Sequence, residues 1–342
     1  MKAEKVDNEK RNRRKSQRSM ITYEITRQIT AWIPFQDLLF KNTKKKRKIK
    51  RLIFIWGLLL VPIVHWLVFW LYANANSILL AFRNIDFADG GREYWTLNNF
   101  VEVYKMFSEG NAVQEMLHYG ANTFRFWILN VIIGIPWSLY ITYLFHKKML
   151  GSKMFRVLLY LPAIINGVAF AGMFEAFAGG NGSAGYVLKE YFGMKRVPSW
   201  FQEEEYATYA LMFFNLFTGF SGNLVLYSGA IANVDNEVTE AAYMDGVTMW
   251  QEIRYIIVPM MWPTISMTII TTFAGLFGAS GAILLFTPSL KSTWTWGYWI
   301  FDQVRIYNNY YVPAALGLCF TVVAFPIAMS IKNLMERLYK TE

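Results

Sequence analysis

The sequence predicts an all-α membrane protein with six transmembrane helices, and three observations carry this prediction. Apolar residues make up 54% of the 342-residue chain and charged residues only 17%, a balance that excludes a soluble globular protein. Six windows are long and apolar enough to be spans, since about 20 apolar residues cross a hydrocarbon core of about 30 Å. The basic residues cluster before and between these windows, which is typical of cytoplasmic loops.

The six predicted spans follow one another along most of the chain. They cover residues 52–72, 122–145, 155–177, 206–231, 260–286 and 312–334. Several contain or adjoin a proline, whose freed backbone partner can be satisfied by a neighbouring helix in a bundle. We expect kinks at these positions, namely Pro62, Pro136, Pro162, Pro263 and Pro326.

The distribution of charge predicts that both termini lie in the cytoplasm. Residues 1–51 hold 17 of the 34 basic residues and form a basic N-terminal tail, and further Lys and Arg side chains follow the second and sixth spans. Within the tail, apolar residues recur at helical spacing over 21–33, which predicts an amphipathic helix at the membrane interface or, alternatively, a loosely ordered tail. The basic run at 44–48 ends at the first span, so it indicates contact with anionic lipid and not with nucleic acid.

A short motif lies in the polar stretch between the fourth and fifth spans. Residues 240–246 read Glu-Ala-Ala-Tyr-Met-Asp-Gly, and Ile256 and Pro259 follow at a fixed distance. Adjacent alanines give a helix one slim face that suits a cleft in a partner, and Asp245-Gly246 is a helix stop. The alternative is an ordinary connecting helix.

This motif resembles the EAA loop of ABC-importer permeases, the cytoplasmic segment that docks onto an ATPase subunit. On this resemblance residues 232–259 are the coupling loop within a six-helix transmembrane permease domain, residues 52–337. Val247, Val258 and the lack of a proline before Glu237 depart from the family pattern but are conservative in size. The residues implied in ATPase coupling are Glu240, Ala241, Ala242, Asp245, Gly246, Ile256 and Pro259.

Further residues are similar to those of binding-protein-dependent sugar permeases, especially the first subunit of maltose permeases and its oligosaccharide relatives. They are Asn98-Asn99-Phe100, Asn122-Thr123, Leu161-Pro162 and the segment 273–285. The resemblance implies a subunit of the bacterial cytoplasmic membrane that forms half of a pathway for an oligosaccharide. It also implies a second permease subunit, an extracytoplasmic solute-binding protein and two cytoplasmic ATPase subunits that bind ATP and Mg²⁺.

The resemblance also implies a membrane sugar site on the spans that flank the coupling loop. Only Gly219 keeps the residue of the maltose system among the aligned positions, so the resemblance leaves the solute open. Hydrogen bonding between helices explains each polar position equally well. The implied substrate-binding residues, with two polar neighbours, are Thr218, Gly219, Gly222, Asn223, Tyr227, Thr272, Leu276 and Ala279.

No catalytic or metal-binding motif occurs in the sequence. There is no Gly-Lys dipeptide and therefore no phosphate-binding P-loop, the three histidines are far apart, and Cys319 is the single cysteine. We therefore expect no enzyme activity and no cofactor in this chain, with ATP hydrolysed by partners. Two alternatives remain at this point: a proton-coupled secondary transporter, and an ABC importer for a non-sugar solute such as a polyol phosphate.

Overall fold

The computed structural model describes residues 43–86, 91–180, 182–278 and 281–338. The predicted amphipathic helix at 21–33 lies outside the described residues. The chain divides into two compact units, Met1–Asn74 and Ala75–Glu342.

The first unit holds the first predicted span. Helix α1 (Thr43–His65) continues through a π-helical stretch, Trp66–Leu71, into α2 (Tyr72–Leu80). The run from Arg47 to Leu80 is long and apolar enough to cross a membrane.

A small hairpin follows α2, and it is the only β-sheet among the described residues. Strand β1 (Arg83–Asp86) pairs antiparallel with β2 (Arg92–Trp95), and α3 (Asn98–Ser108) follows. Asn99 is fully buried and donates hydrogen bonds to the carbonyl oxygens of Ala81 and Arg83, at 2.9 and 2.7 Å. Asn99 therefore fastens the hairpin to the helix.

The second span is one long helix with a local widening. Helix α4 (Gly110–Leu129) leads through a π-helical turn, Asn130–Gly134, into α5 (Ile135–His146). The turn immediately precedes Pro136, whose missing N–H cannot serve the carbonyl four residues earlier. The helix therefore starts twelve residues before the predicted span 122–145 and carries its distortion beside the predicted proline.

The third predicted span, 155–177, is not a continuous helix, and this prediction is corrected. Helix α6 (Ser152–Ile164) ends just after Pro162, α7 (Gly167–Ala178) begins after Asn166, and α8 (Ser183–Glu190) follows. The two halves are bent by 115°. Asn166 caps α7, because its side-chain oxygen accepts from the backbone N–H of Val168 at 3.0 Å.

The fourth span is α9 (Glu204–Ile231). The short helices α10 (Asn236–Met244) and α11 (Met249–Glu252) come next, and a second π-helical turn, Ile253–Ile257, leads into α12 (Val258–Ala274). The predicted fifth span, 260–286, is corrected, because the long helix starts earlier and ends at Ala274. Beyond it lie a 3₁₀ turn, Leu276–Gly278, and α13 (Gly281–Phe286).

The chain then passes through a 3₁₀ turn, Lys291–Thr293, to α14 (Trp296–Arg305) and the sixth span, α15 (Tyr311–Leu338). Both α12 and α15 run through their inner prolines without ending. Among the described residues, five helices are long and apolar enough to cross a membrane, or six if the bent pair counts as one span. The all-α membrane fold is confirmed.

Helix α9 is at the centre of the packing in the second unit. It contacts α4, α5, α6, α12 and α13, while α15 packs against α3 and α12. One buried cluster includes Tyr119, Phe214 and Leu316. A second cluster includes Tyr227 and Ile257 and lies next to the segment that joins α9 to α12. The spans on either side of the predicted coupling loop are thus packed to each other.

Candidate functional site

The motif at 240–246 forms the end of α10 and a tight turn. Gly246 has φ +73°, the left-handed conformation that favours glycine. Its N–H donates to the carbonyl of Tyr243 at 3.1 Å, and the N–H of Val247 donates to that of Ala242 at 3.2 Å. These two bonds form a Schellman motif, so the helix stops where Asp245-Gly246 predicts.

The next helix, α11, begins at Met249 and is capped by Thr248. The backbone N–H and the hydroxyl of Thr248 both donate to Oε1 of Gln251, each at 2.8 Å. Capping at both sides of the connection leaves few free backbone groups between α10 and α11. The two short helices therefore form a fixed corner instead of a flexible loop.

The predicted coupling residues differ in exposure. Ala242 is buried, and Ile256 and Pro259 are half-buried. Between the predicted positions, Tyr243 and Met244 are 80% and 84% exposed, among the highest values for the described large apolar side chains. The exposed members of the predicted set are Glu240, Ala241, Asp245 and Gly246.

An ion pair fastens this corner to the end of the second span. Glu252, the last residue of α11, is buried, and its Oε2 accepts a hydrogen bond from the hydroxyl of Tyr143 at 2.7 Å. Its Oε1 lies 2.6 Å from Nζ of Lys147, just beyond the end of α5. A buried carboxylate needs such partners, so Glu252 fixes the position of α11 relative to the second span.

A cavity of about 400 Å³ lies between the second, fourth and fifth spans. It is bordered by α4 and the first π-helical turn, by α9, and by the end of α12 with the turn that follows. Its seventeen lining residues are all uncharged, and they combine threonine, asparagine and aromatic side chains with leucines and glycines.

Four of the eight predicted substrate-binding residues line this cavity: Thr218, Gly219, Thr272 and Leu276. Gly222, Asn223 and Tyr227 lie further along α9 and do not line it. Gly222 is exposed, while Tyr227 is fully buried in the second cluster. Ala279 lies outside the described residues. For all eight, a role in substrate binding stays a prediction.

The segment that precedes α14 is fastened at one end of the cavity by residues of α4. Nδ2 of Asn122 donates to the carbonyl oxygens of Ser292 and Trp294, at 2.8 and 3.0 Å. The hydroxyl oxygen of Thr123, which also lines the cavity, accepts from the backbone N–H of Trp296 at 3.1 Å. The Asn122-Thr123 pair therefore has a definite structural role here.

The chain matches the model of the family "Binding-protein-dependent transport system inner membrane component" over residues 131–341. The chain belongs to this family. Membership argues against the proton-coupled secondary transporter, and it agrees with the helices that are able to cross a membrane.

Two relatives of the chain are named as permease proteins of sugar transport systems. It is 26% identical over 214 residues to the galactooligosaccharides transport system permease protein GanP of Bacillus subtilis (strain 168), covering 59% of this chain and 49% of that protein. It is 26% identical over 155 residues to the lactose transport system permease protein LacF of Rhizobium radiobacter, covering 45% and 52%. The chain thus spans about half the length of these two relatives.

A solved structure supports the permease fold. The chain superposes with a TM-score of 0.71 and 21% identity on a chain of a bacterial ABC transporter involved in the import of the acidic polysaccharide alginate, covering 87% of this chain and all of that one. At this identity the likeness establishes the shared fold.

Sequence reasoning missed part of the permease's cavity wall. Trp127 and Asn130 of the second span line the cavity opposite α9, yet the family match begins at residue 131. The available signal was a polar residue, Asn130, inside an apolar span and six residues before Pro136. The spacing of residues along one helix does not reveal which neighbouring helix Asn130 faces.

Proposed function

We propose that the chain is a permease subunit of an ABC importer and forms half of the translocation pathway for an uncharged oligosaccharide. The observation that carries this proposal is the cavity, where four residues at positions aligned with the sugar site of maltose permeases lie together. Membership in the binding-protein-dependent family supports it, and so do the names of two relatives, which are permease proteins for galactooligosaccharides and lactose.

The chemistry of the cavity favours a sugar over a charged solute. Amide and hydroxyl groups pair with sugar hydroxyls, and aromatic rings offer apolar contact area, which is the usual composition of a small-molecule site. A polyol phosphate or an acidic sugar would lose its hydration without meeting an opposite charge among the described lining residues. We therefore assign this chain a neutral solute, unlike the alginate named for its structural neighbour.

The corner formed by α10 and α11 is the proposed docking site for an ATPase subunit. Exposed Tyr243 and Met244 offer apolar contact area beside the charged Glu240. A second permease subunit completes the pathway, two cytoplasmic ATPase subunits bind ATP and Mg²⁺, and an extracytoplasmic binding protein delivers the sugar. In this arrangement the chain itself catalyses no reaction.

The proposed orientation places the corner and both termini in the cytoplasm of a bacterial cell. The basic tail before the first span supports it. Closure of the ATPase dimer then displaces the corner, and the attached spans move as rigid bodies to expose the cavity to alternate sides.

Reconstitution of the whole complex tests this function. We expect Gly246→Asp and Glu240→Lys to abolish binding-protein-stimulated ATPase activity and sugar uptake in proteoliposomes, because the first puts a side chain in a left-handed conformation and the second reverses an exposed charge. Glu102→Lys, on the exposed surface of α3, is the matched control and should retain both activities. Full stimulated activity in assembled complexes of both coupling variants would contradict the proposal.

A further inference from the structure

The second span supplies a wall of the cavity opposite α9. Trp127 and Asn130 lie three residues apart, so they share one face of the helix. Neither residue belongs to the predicted substrate-binding set, which lies on the fourth and fifth spans. The wall they form faces Thr218 and Gly219.

The side chain of Asn130 occupies a space that two glycines leave open. A Cβ atom added to Gly134 would lie 2.7 Å from Oδ1 of Asn130, and one added to Gly219 would lie 3.6 Å from its Nδ2. Asn130 is also the first residue of the π-helical turn, a distortion that is frequent at functional sites. No described residue hydrogen-bonds its carboxamide, which leaves donor and acceptor groups at the cavity.

Trp127 provides a second unused donor beside the same cavity. Its Nε1 is shielded from solvent and has no hydrogen-bond partner among the described residues. The indole ring packs edge-on against Phe273, with 5.5 Å between the ring centroids. A buried N–H without a partner is unfavourable, so a turn of the ring that brings Nε1 to an acceptor of a bound solute would stabilise the occupied state.

We propose that Trp127 and Asn130 are specificity-determining residues for the transported sugar. The carboxamide of Asn130 both donates to and accepts from sugar hydroxyls, while Trp127 presents an aromatic face and donates from Nε1. This inference rests on the proposed function and deepens it, because it assigns the choice among neutral sugars to the second span.

Transport by the complete complex in proteoliposomes tests the inference. The probes are radiolabelled maltotriose, a β-linked galactotriose and a mannuronate trimer, each with the binding protein at saturating concentration. Asn130→Leu and Trp127→Phe should each lower uptake of the preferred neutral trimer about three- to tenfold, the effect of one lost hydrogen bond. They should also change the ratio of the two neutral uptake rates, while binding-protein-stimulated ATPase activity continues.

Matched variants separate recognition from folding. Trp137→Phe makes the same change at an exposed position of the same span and should leave uptake and the ratio unaltered, and Asn130→Gln should restore part of the uptake. An unaltered ratio in both Trp127→Phe and Asn130→Leu, with stimulated ATPase activity intact, overturns this inference alone. A wild-type complex that imports none of the three probes overturns the proposed function with it.

Discussion

Glu252 connects two parts of the chain that are far apart in sequence. Its carboxylate is buried and paired with Lys147 and with the hydroxyl of Tyr143. Removing one partner from a buried charge is usually worse than removing both, because the remaining group loses hydration without compensation. The three side chains therefore act as a unit.

A double-mutant cycle tests that unit. We expect Lys147→Met to lower the free energy of unfolding by about 1–3 kcal/mol, and Lys147→Met with Glu252→Gln to cost less than the sum of the two single changes. Thermal unfolding of the purified protein measures the difference, with Lys332→Met, an exposed lysine of α15, as the control. Strict additivity would show that the pair is not coupled.

Asp302 carries a pH-dependent contribution to stability. It is buried on α14, outside the spans, and burial raises the pKa of its carboxyl above the ordinary value of 3.8, with Lys291 opposing the shift. The folded protein therefore holds this proton more tightly than the unfolded chain. Stability falls as the pH rises from about 4 through the raised pKa.

The substitution Asp302→Asn should remove this dependence. We expect the variant to melt at a higher temperature than the wild type at neutral pH, and the difference to shrink as the pH falls below about 4, where the wild-type carboxyl becomes protonated in both states. Melting curves over this pH range measure it. A difference that stays constant with pH would rule out Asp302 as its source.

At the scale of elements, the connection from α7 to α8 depends on close backbone packing. A Cβ atom added to Gly185 would lie 2.5 Å from the carbonyl oxygen of Gly180 and 2.7 Å from that of Gly179, whereas one added to Gly172 would meet nothing within 4 Å. Both glycines lie in helices. Comparing an alanine substitution at the two positions therefore separates the effect of the close contact from the effect of helix propensity.

We expect Gly185→Ala to destabilise the protein by about 1–3 kcal/mol through overpacking, and Gly172→Ala to be neutral or stabilising by up to about 1 kcal/mol. Limited proteolysis within 179–195, together with melting temperature, measures the effect. Equal melting temperatures for the two variants would contradict this account of the connection.

The elements also show where sequence patterns succeed and where they fail. Apolar length located the five helices that are long enough to cross a membrane, because the bilayer imposes that length on any crossing helix. It did not reveal the break at Asn166, since a side-chain cap and a proline four residues earlier add little to the hydropathy of an apolar window. The end of α12 at Ala274 was hidden in the same way, because residues 275–286 remain apolar after the helix stops.

For the whole molecule, the predicted orientation leads to a direct test. Alkaline phosphatase is active only when exported, so fusions after residue 342 and within 246–248 should be inactive, and fusions within 191–196 should be active. A reporter that is active only in the cytoplasm should give the reverse pattern. An active phosphatase fusion at 246–248 would place the corner on the wrong side for an ATPase.

The candidate site was predictable only in part at this scale. Positions 218, 219, 272 and 276 were implied by the resemblance to maltose permeases, because an ungapped alignment from the coupling motif reaches both flanking spans. The wall at Trp127 and Asn130 comes from a span that is distant along the chain and that α9 brings near by packing. No local pattern in one sequence encodes that contact.

The unbroken helix Gly110–His146 has a mechanical consequence. It carries Asn130 at the cavity and Tyr143 at the buried carboxylate thirteen residues later, a separation of about 20 Å along its axis. A stiff rod of that length transmits a displacement from either end to the other. If an ATPase subunit docks at the corner and a sugar binds in the cavity as proposed, reciprocity requires each to change the binding free energy of the other by the same amount.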